Sequence, residues 1–389
     1  MSTIMVACAL LPPWHANSLG TLQTETTMGL LSPARHEVLI SLGRSLPGDG
    51  GIFEFSSQLA QRIAAAAPLW REAHEVGFSF HLRPELQGLF GGDVGYLPLQ
   101  PLQRYLHRTP RPFAVWHSTH QMNKSLPPQG SLRRLVTIHD LNYLHGRPSL
   151  SVWRHDRRLR ALLRRSDEVA TVSHHSANDV ARHLGWAGPL HVIHNGARSF
   201  VGMPQEPLPG WAATAGRPFL YHLSRMSPSK NPQALIELAR IWPEMTFVLC
   251  GPSSDDAQHL RATVKLPNLQ FHLGINDAQK AWAYAQCTGF LFPSLTEGFG
   301  LPPIEAMHFG KPVFLARRTC LPEIGGDAAD YFDDFSPAAM KQVVQQGLAR
   351  QAQPDRALAI QQHAAQFNWD RAAAAYLALY RRLLKLAPG

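Results

Sequence analysis

The segment Phe290-Leu-Phe-Pro-Ser-Leu-Thr-Glu297-Gly-Phe-Gly300-Leu-Pro-Pro-Ile-Glu305-Ala-Met307 decides how this chain is read. Its apolar run is of strand length and stops at Pro293; a glycine-rich loop follows, and Pro302-Pro303 open a helix, where a missing N–H costs nothing. Strand, loop and helix in that order make a βα unit. The amides from Gly298 to Leu301 then point out of a helix N-terminus, a ready site for a diphosphate or a sugar oxygen. Glu297 lies in the loop and Glu305 in the first turns of the helix. Ionised carboxylates only accept hydrogen bonds, so both suit ribose or sugar hydroxyls beside a diphosphate rather than the phosphates themselves.

The same alternation extends in both directions. Strand-like runs are read at Val38–Leu42, Phe78–Leu82, Phe113–Trp116, Leu135–Ile138, Val169–Val172 and His191–Ile193, then at Phe219–Leu223, Thr246–Leu249, Leu269–His272, Gly289–Phe292 and Val313–Leu315. Amphipathic stretches between them include Phe53–Ala66, Ser176–Leu184, Gln233–Ile241, Ala278–Cys287 and Pro303–Phe309. Repeated βα units imply an α/β chain with parallel sheets. A length of 389 residues exceeds what one core organises. Pro/Gly-rich Ser199–Arg217 is the expected linker. The organisation predicted is an irregular tail over 1–36, a first domain over 37–205 and a second over 206–367. A last helix, about Asp370–Leu386, packs back on the first domain.

After the first strand of the second half comes Ser224-Arg225-Met-Ser-Pro-Ser-Lys230-Asn231. A loop at the C-terminal end of a parallel strand opens into the crevice where such sheets bind ligands. Arg225 as a fork and Lys230 as a point charge would neutralise a diphosphate there. Cys8, Cys250, Cys287 and Cys320 lack CxxC or metal spacing, which predicts reduced structural thiols. The start of the chain has no basic n-region and no run long enough to span a membrane, so a cytoplasmic enzyme is expected. A net charge of +9 attracts polyanions of any kind. Its densest patch, Trp153–Arg165, reads as an amphipathic helix with Trp153, Leu159, Leu162 and Leu163 on the apolar side. Arg154, Arg157, Arg158, Arg164 and Arg165 lie mostly opposite, a face suited to anionic lipid at the inner side of the cytoplasmic membrane. The patch lacks interleaved aromatics, which argues against nucleic acid.

Glu297-x7-Glu305 within EGFGLPPIEAM, with Arg225 and Lys230 upstream, resembles the family 4 retaining glycosyltransferases of the GT-B fold, two doubly wound Rossmann-like domains facing across a cleft. Supporting echoes are Gly50-Gly51, Thr137-Ile-His139-Asp140, Thr171-Val-Ser173, Val192-Ile-His-Asn195-Gly196, Pro322-Glu323-Ile-Gly325 and Phe367-Asn-Trp369-Asp370. The resemblance implies a nucleotide-diphosphate sugar donor and a glycan or lipid-linked acceptor. Glu305 would hold the ribose; Glu297 and the amides of Gly298, Phe299, Gly300 and Leu301 would meet the donor sugar. Arg225 and Lys230 would hold the pyrophosphate, helped by Gly50 and Gly51, and the base would lie against Gly251 and Ile275. His139 would meet the sugar from the other domain after closure, so an open structure is expected to leave a gap between it and the Glu297 loop. Gly50-Gly51 departs from the family in being followed by Ile-Phe-Glu rather than a basic residue.

The resemblance also implies that the diphosphate leaves with cationic help and the acceptor attacks from the same face, most of the catalysis being electrostatic. No Asp-x-Asp occurs, so neither a bridging metal nor another cofactor is implied, and the histidines look scattered. EGFGLPPIEAM looks most like bacterial mannosyltransferases, which makes GDP-mannose the first donor to test and a UDP-hexose the second, in surface polysaccharide or lipopolysaccharide synthesis. The alternatives are a catalytically silent nucleotide-sugar binder and a nucleotide-sugar epimerase of the same fold.

Overall fold

The computed structural model describes residues 34–46, 50–144, 149–211 and 217–387. Runs of apolar and β-branched residues become strands buried on both faces, as parallel sheets covered by helices require. In the first half β1 (His36–Ser41), β2 (Val76–Leu82), β3 (Gly95–Pro98), β4 (Val115–Ser118), β5 (Arg133–Ile138), β6 (Glu168–Thr171) and β7 (Leu190–Val192) line up as β3-β2-β1-β4-β5-β6-β7. In the second, β8 (Phe219–Leu223), β9 (Thr246–Gly251), β10 (Leu269–Leu273), β11 (Gly289–Phe292), β12 (Val313–Ala316) and β13 (Ala329–Phe332) line up as β10-β9-β8-β11-β12-β13. Every pairing is parallel.

The helices are α1 (Gly51–His74), α2 (Ser149–Leu163), α3 (His174–Leu184), α4 (Pro232–Ile241), α5 (Asp255–Thr263), α6 (Asp277–Gln286), α7 (Leu301–His308), α8 (Leu321–Gly325), α9 (Pro337–Gln351), α10 (Arg356–Ala364) and α11 (Trp369–Leu383). The result is an α/β chain with two doubly wound, Rossmann-like sheets. Strand order reverses between β1 and β4 in one sheet and between β8 and β11 in the other. Loops beyond those strands are where such sheets hold ligands.

Two strands lie outside the sequence expectation, β3 and β13, both at sheet edges. Edge strands carry polar and turn residues that break an apolar run, here Gly95 and Pro98 in one and Asp330 in the other. The expected irregular tail lies outside the described residues up to residue 33, and β1 begins within its last residue, His36. Ser199–Arg217 is less free than its composition suggests. Phe200, Leu208 and Trp211 are buried in the core of the second domain, and the crossing falls just earlier, where Ala197 N donates to Phe367 O at 2.9 Å. Gly196 lies against Trp369, whose backbone N would be 2.2 Å from a Cβ there. The chain thus crosses between domains twice, side by side.

Helix α11 belongs to the first core: Trp369, Tyr376, Leu379, Tyr380 and Leu383 pack with Val38, Phe55 and Phe78. Tyr380 Oη lies 2.6 Å from His117 Nδ1, and Tyr376 Oη 2.9 Å from Thr137 Oγ1. Cys250, Cys287 and Cys320 are buried free thiols, and burial pushes Cys287 up to about 12.

Helix α2 corrects one expectation. Leu159 and Leu163 are buried, but Trp153 is 56% exposed, with Arg157 over its ring at 5.4 Å. Arg158 is half-buried and donates to the carbonyls of Met122 and Asn123 at 2.8 and 3.3 Å, which removes it from the outward arginines.

Candidate active site

The loops after β8 and β11 meet at the second sheet's reversal point. Ser227-Pro228-Ser229-Lys230 forms a single 3-10 turn, and Asn231, in the left-handed region at φ 53°, turns the chain into α4. Asparagine tolerates that conformation better than other side chains. This aims Lys230 back at the β11 loop, where Nζ donates to Glu297 Oε1 at 2.7 Å and to Thr296 O at 3.4 Å. The two side chains are only 20% and 11% exposed. Such a desolvated pair is costly to break by removing one partner.

Gly300, at φ 99°, is the N-cap of α7, so the loop arrives in a conformation closed to other residues and the first-turn amides are set free. Six described non-glycine residues have a left-handed backbone; three of them, Met226, Asn231 and Thr319, lie in the loops of this region. Thr319 Oγ1 accepts from Glu297 N at 3.2 Å. Strain gathered in this way is a mark of functional sites.

The first domain approaches the same place. Gly50, at φ 74°, caps α1, and a Cβ built on it would lie 3.3 Å from Arg225 Nη2; one on Gly51 would lie 4.0 Å from Leu301 Cδ1. The N-termini of α1 and α7 therefore share a space with the exposed Arg225.

The structure does not have the gap expected of an open form; the Glu297 loop touches the first domain beside His139. Gly298 lies against the backbone of His139 and the side chain of Asp140, so closely that a Cβ would be 2.6 Å from His139 O. Ser173 Oγ donates to Gly298 O at 3.0 Å, and Ser176 Oγ to His139 O at 2.8 Å. Glycine's missing side chain and the Ser173 hydroxyl hold the domains together here, while Ser176 fixes the His139 carbonyl within the first domain. The His139 ring is 8% exposed, edge-on to Phe55 at 4.7 Å, and its Nε2 donates to Thr119 O at 2.9 Å. Burial holds the imidazole below its usual value, against the Thr119 bond and the Asp140 charge. It is a neutral ring with Nδ1 left as an acceptor.

Glu305, half-buried on α7, accepts from Tyr284 Oη at 2.7 Å. Burial pushes its carboxyl up to about 7; the Tyr284 bond and Lys280 oppose this, while Glu54 and Asp277 add to it. Gly251 ends β9 where any side chain would strike Ser224 O, 1.8 Å from a Cβ, and its carbonyl accepts from Gly274 N at 2.8 Å. Ile275, one residue on, packs on the second core. The floor of the site is thus stitched from the loops after β8, β9 and β10.

Sequence reasoning missed Thr319, Ser176 and the group around Glu305, and had Ser173 only as part of the Thr171-Val-Ser173 echo. In that group Arg198 pairs with Asp277 at 2.6 Å and Lys280 with Asp277 at 2.9 Å. Burial raises Glu54 of α1, whose charge is coupled to the same residues. Asp277 and Lys280 share α6, but Arg198 and Glu54 come from distant segments, and no local spacing marks the group.

With this geometry, comparison with known proteins is informative. Residues 52–198 match the model described as "Glycosyltransferase Family 4" and residues 209–360 the one described as "Glycosyl transferases group 1". The chain is 28% identical over 374 residues to the O-antigen chain mannosyltransferase B of Escherichia coli, covering 86% of this chain and 96% of that protein. A sucrose-phosphate synthase structure from Thermosynechococcus elongatus superposes with a TM-score of 0.69 at 19% identity, over 90% of this chain and 100% of the other. The structure of Anabaena HepE in complex with UDP and glucose does so at 0.60 and 17%, over 88% and 98%. The chain belongs to the family 4 glycosyltransferases and has their GT-B fold.

Proposed function

We propose that this transferase moves mannose from GDP-mannose, with retention of configuration, to a glycan or lipid-linked acceptor in surface polysaccharide synthesis. The observation that carries the reading is the meeting of Lys230, Glu297, Arg225 and two helix N-termini at the reversal point of the second sheet. Arg225, Lys230 and the amides opened by Gly50 and Gly51 take the diphosphate; Glu305 takes the ribose, and Gly251 and Ile275 border the base. Glu297, the amides from Gly298 to Leu301 and Nδ1 of His139 face the sugar. An arriving diphosphate competes with Glu297 for the Lys230 ammonium and frees that carboxylate for sugar hydroxyls. The mannosyltransferase relative supports mannose as the sugar. A thermal-shift panel of GDP-, UDP- and ADP-sugars tests the donor. GDP-mannose at 100 times its dissociation constant should add about 2.7 kcal/mol of stability, and a larger shift with a UDP-sugar overturns the choice. NMR of the new anomeric centre tests retention.

Glu305 makes the binding pH-dependent. With its pKa near 7, the carboxylate that accepts a ribose diol becomes a neutral acid as pH falls through that value. Nucleoside affinity should therefore drop on acidification. The Tyr284→Phe variant removes a bond that lowers this pKa, so the midpoint should move to higher pH. Titrations at several pH values read both, and an unmoved midpoint contradicts the assignment.

His139→Ala should leave nucleotide affinity close to wild type and lower transfer, because the ring lies on the sugar side. Weakened nucleotide binding with normal turnover would make it a binding residue instead.

Outside the cleft, a surface cavity of about 820 Å³ is lined by Leu150, Trp153, Arg154, Arg157, Arg158 and Arg164. Exposed Trp153 and Leu150 among outward arginines suit an anionic membrane surface, with Arg165 adding charge at the end of α2. This would place a cytoplasmic enzyme at the inner face of the membrane, beside a lipid-linked acceptor. Among the described residues no helix is long and apolar enough to cross a membrane. Co-sedimentation with anionic against neutral vesicles tests the contact, which Trp153→Ala should weaken.

A further inference from the structure

We propose that His174, His194 and Glu323 form a binding site for one borderline divalent cation, of the zinc or nickel class, at the seam between the domains. It uses none of the residues assigned to the diphosphate and does not depend on the choice of donor. His194 Nε2 lies 2.6 Å from Glu323 Oε1, and the rings of His174 and His194 meet edge to face at 5.9 Å. One ligand atom from each residue falls within 4.8 Å of the other two, the one such trio among the described residues.

The residues come from three segments. His174 opens α3 in the first domain, His194 follows β7 at the crossing, and Glu323 lies on α8 in the second domain. Their separation explains why the histidines look scattered in the sequence.

The chemistry favours nitrogen-loving ions. Two imidazoles and one carboxylate are the donor set of open zinc sites, whereas magnesium and calcium prefer all-oxygen shells. The carboxylate is already fixed: Glu323 Oε1 accepts from His174 N at 2.8 Å and Oε2 from His175 N at 3.2 Å. Hydrogen bonds of this kind hold metal-binding carboxylates in orientation. A proton now bridges His194 and Glu323. Ligands of a tetrahedral ion at about 2.0–2.2 Å sit roughly 3.3 Å apart, so the pair must open slightly. The ion takes the bridging proton's place, and that proton leaves for solvent or for His194 Nδ1. Beside the trio a groove of about 740 Å³, lined by His174, His191, Leu379 and Arg382, gives the ion a way in.

An ion held by both domains fastens them in the arrangement in which Gly298 meets His139. It should raise the melting temperature and slow turnover.

The test uses the full chain and zinc chloride, by calorimetric titration and thermal melting. Wild type should bind one strong equivalent and melt at a higher temperature with zinc, but not with magnesium. The chain has twenty histidines, so the decisive reading is the difference from variants. His174→Ala removes an exposed ring, and Glu323→Gln keeps the shape but loses the charge. Each should weaken zinc binding at least about tenfold. Should Glu323→Gln loosen the seam itself, the exposed His174→Ala variant decides alone. A wild-type melting temperature unmoved by zinc overturns the proposal, as does an affinity that His174→Ala leaves unchanged.

Discussion

Replacing Lys230 by alanine is expected to lower turnover by about 10²–10³-fold, the loss seen when one preorganised charge-stabilising donor is removed. Nucleoside affinity should change far less. The reason is where the ammonium is held: 2.7 Å from Glu297 and one loop away from the α7 N-terminus. Its partner in catalysis is charge that grows on the leaving diphosphate, so its contribution is largest in the transition state. Steady-state kinetics separate the effects, since kcat should fall much more than KM rises. Lys230→Arg should rescue only part of the activity, because a planar fork cannot occupy the place of a compact point charge beside Thr296 O and Glu297. Equal losses in kcat and ground-state affinity would show Lys230 to be a simple phosphate anchor.

The second large effect is expected from Gly298→Ala, which adds one carbon. Its Cβ would stand 2.6 Å from His139 O and 2.8 Å from Asp140 Cβ, distances that backbone cannot accept without a shift. The movement open to the molecule is parting of the domains, which also breaks the bond from Ser173 to Gly298 O. Overpacking of this kind costs about 1–3 kcal/mol. If that cost falls on the closed arrangement, turnover should drop about 5–150-fold. Gly298, His139 and Asp140 lie in loops, outside every strand and helix, so secondary structure should be unchanged. Kinetics combined with small-angle scattering check this, with a larger radius of gyration expected for the variant. Wild-type turnover in Gly298→Ala would mean that catalysis does not use this seam.

These two residues mark how far the sequence could be read. The βα alternation and the Glu297–Glu305 loop were legible because strand burial, loop glycines and helix-opening prolines are local properties. Edge strands β3 and β13 were not, since Gly95, Pro98 and Asp330 interrupt the pattern that identifies a buried strand. Trp153 shows a different limit. At about 100° per residue, it lies roughly 80° around α2 from Leu163 and 120° from Leu159. Amphipathic spacing put all three on one side; only the neighbours of the helix decide that the core stops short of Trp153. The closed seam at Gly298, the charged group around Glu305 and the trio at Glu323 each join segments far apart in the chain. Such meetings depend on how two sheets are placed against each other, which no local spacing encodes.

Arg225, Lys230 and Glu305 are proposed to hold a nucleotide-diphosphate sugar between the domains. Calorimetric titration of GDP-mannose into wild type, the Arg225→Ala/Lys230→Ala double variant and Glu305→Gln tests this directly. Wild type should bind at one site and each variant at least about tenfold more weakly, as loss of a charged hydrogen bond of 1.5–3 kcal/mol implies. The double variant, lacking its phosphate partners, should also distinguish poorly between GDP-mannose and guanosine. Wild-type affinity in both variants would place the donor elsewhere and contradict the account.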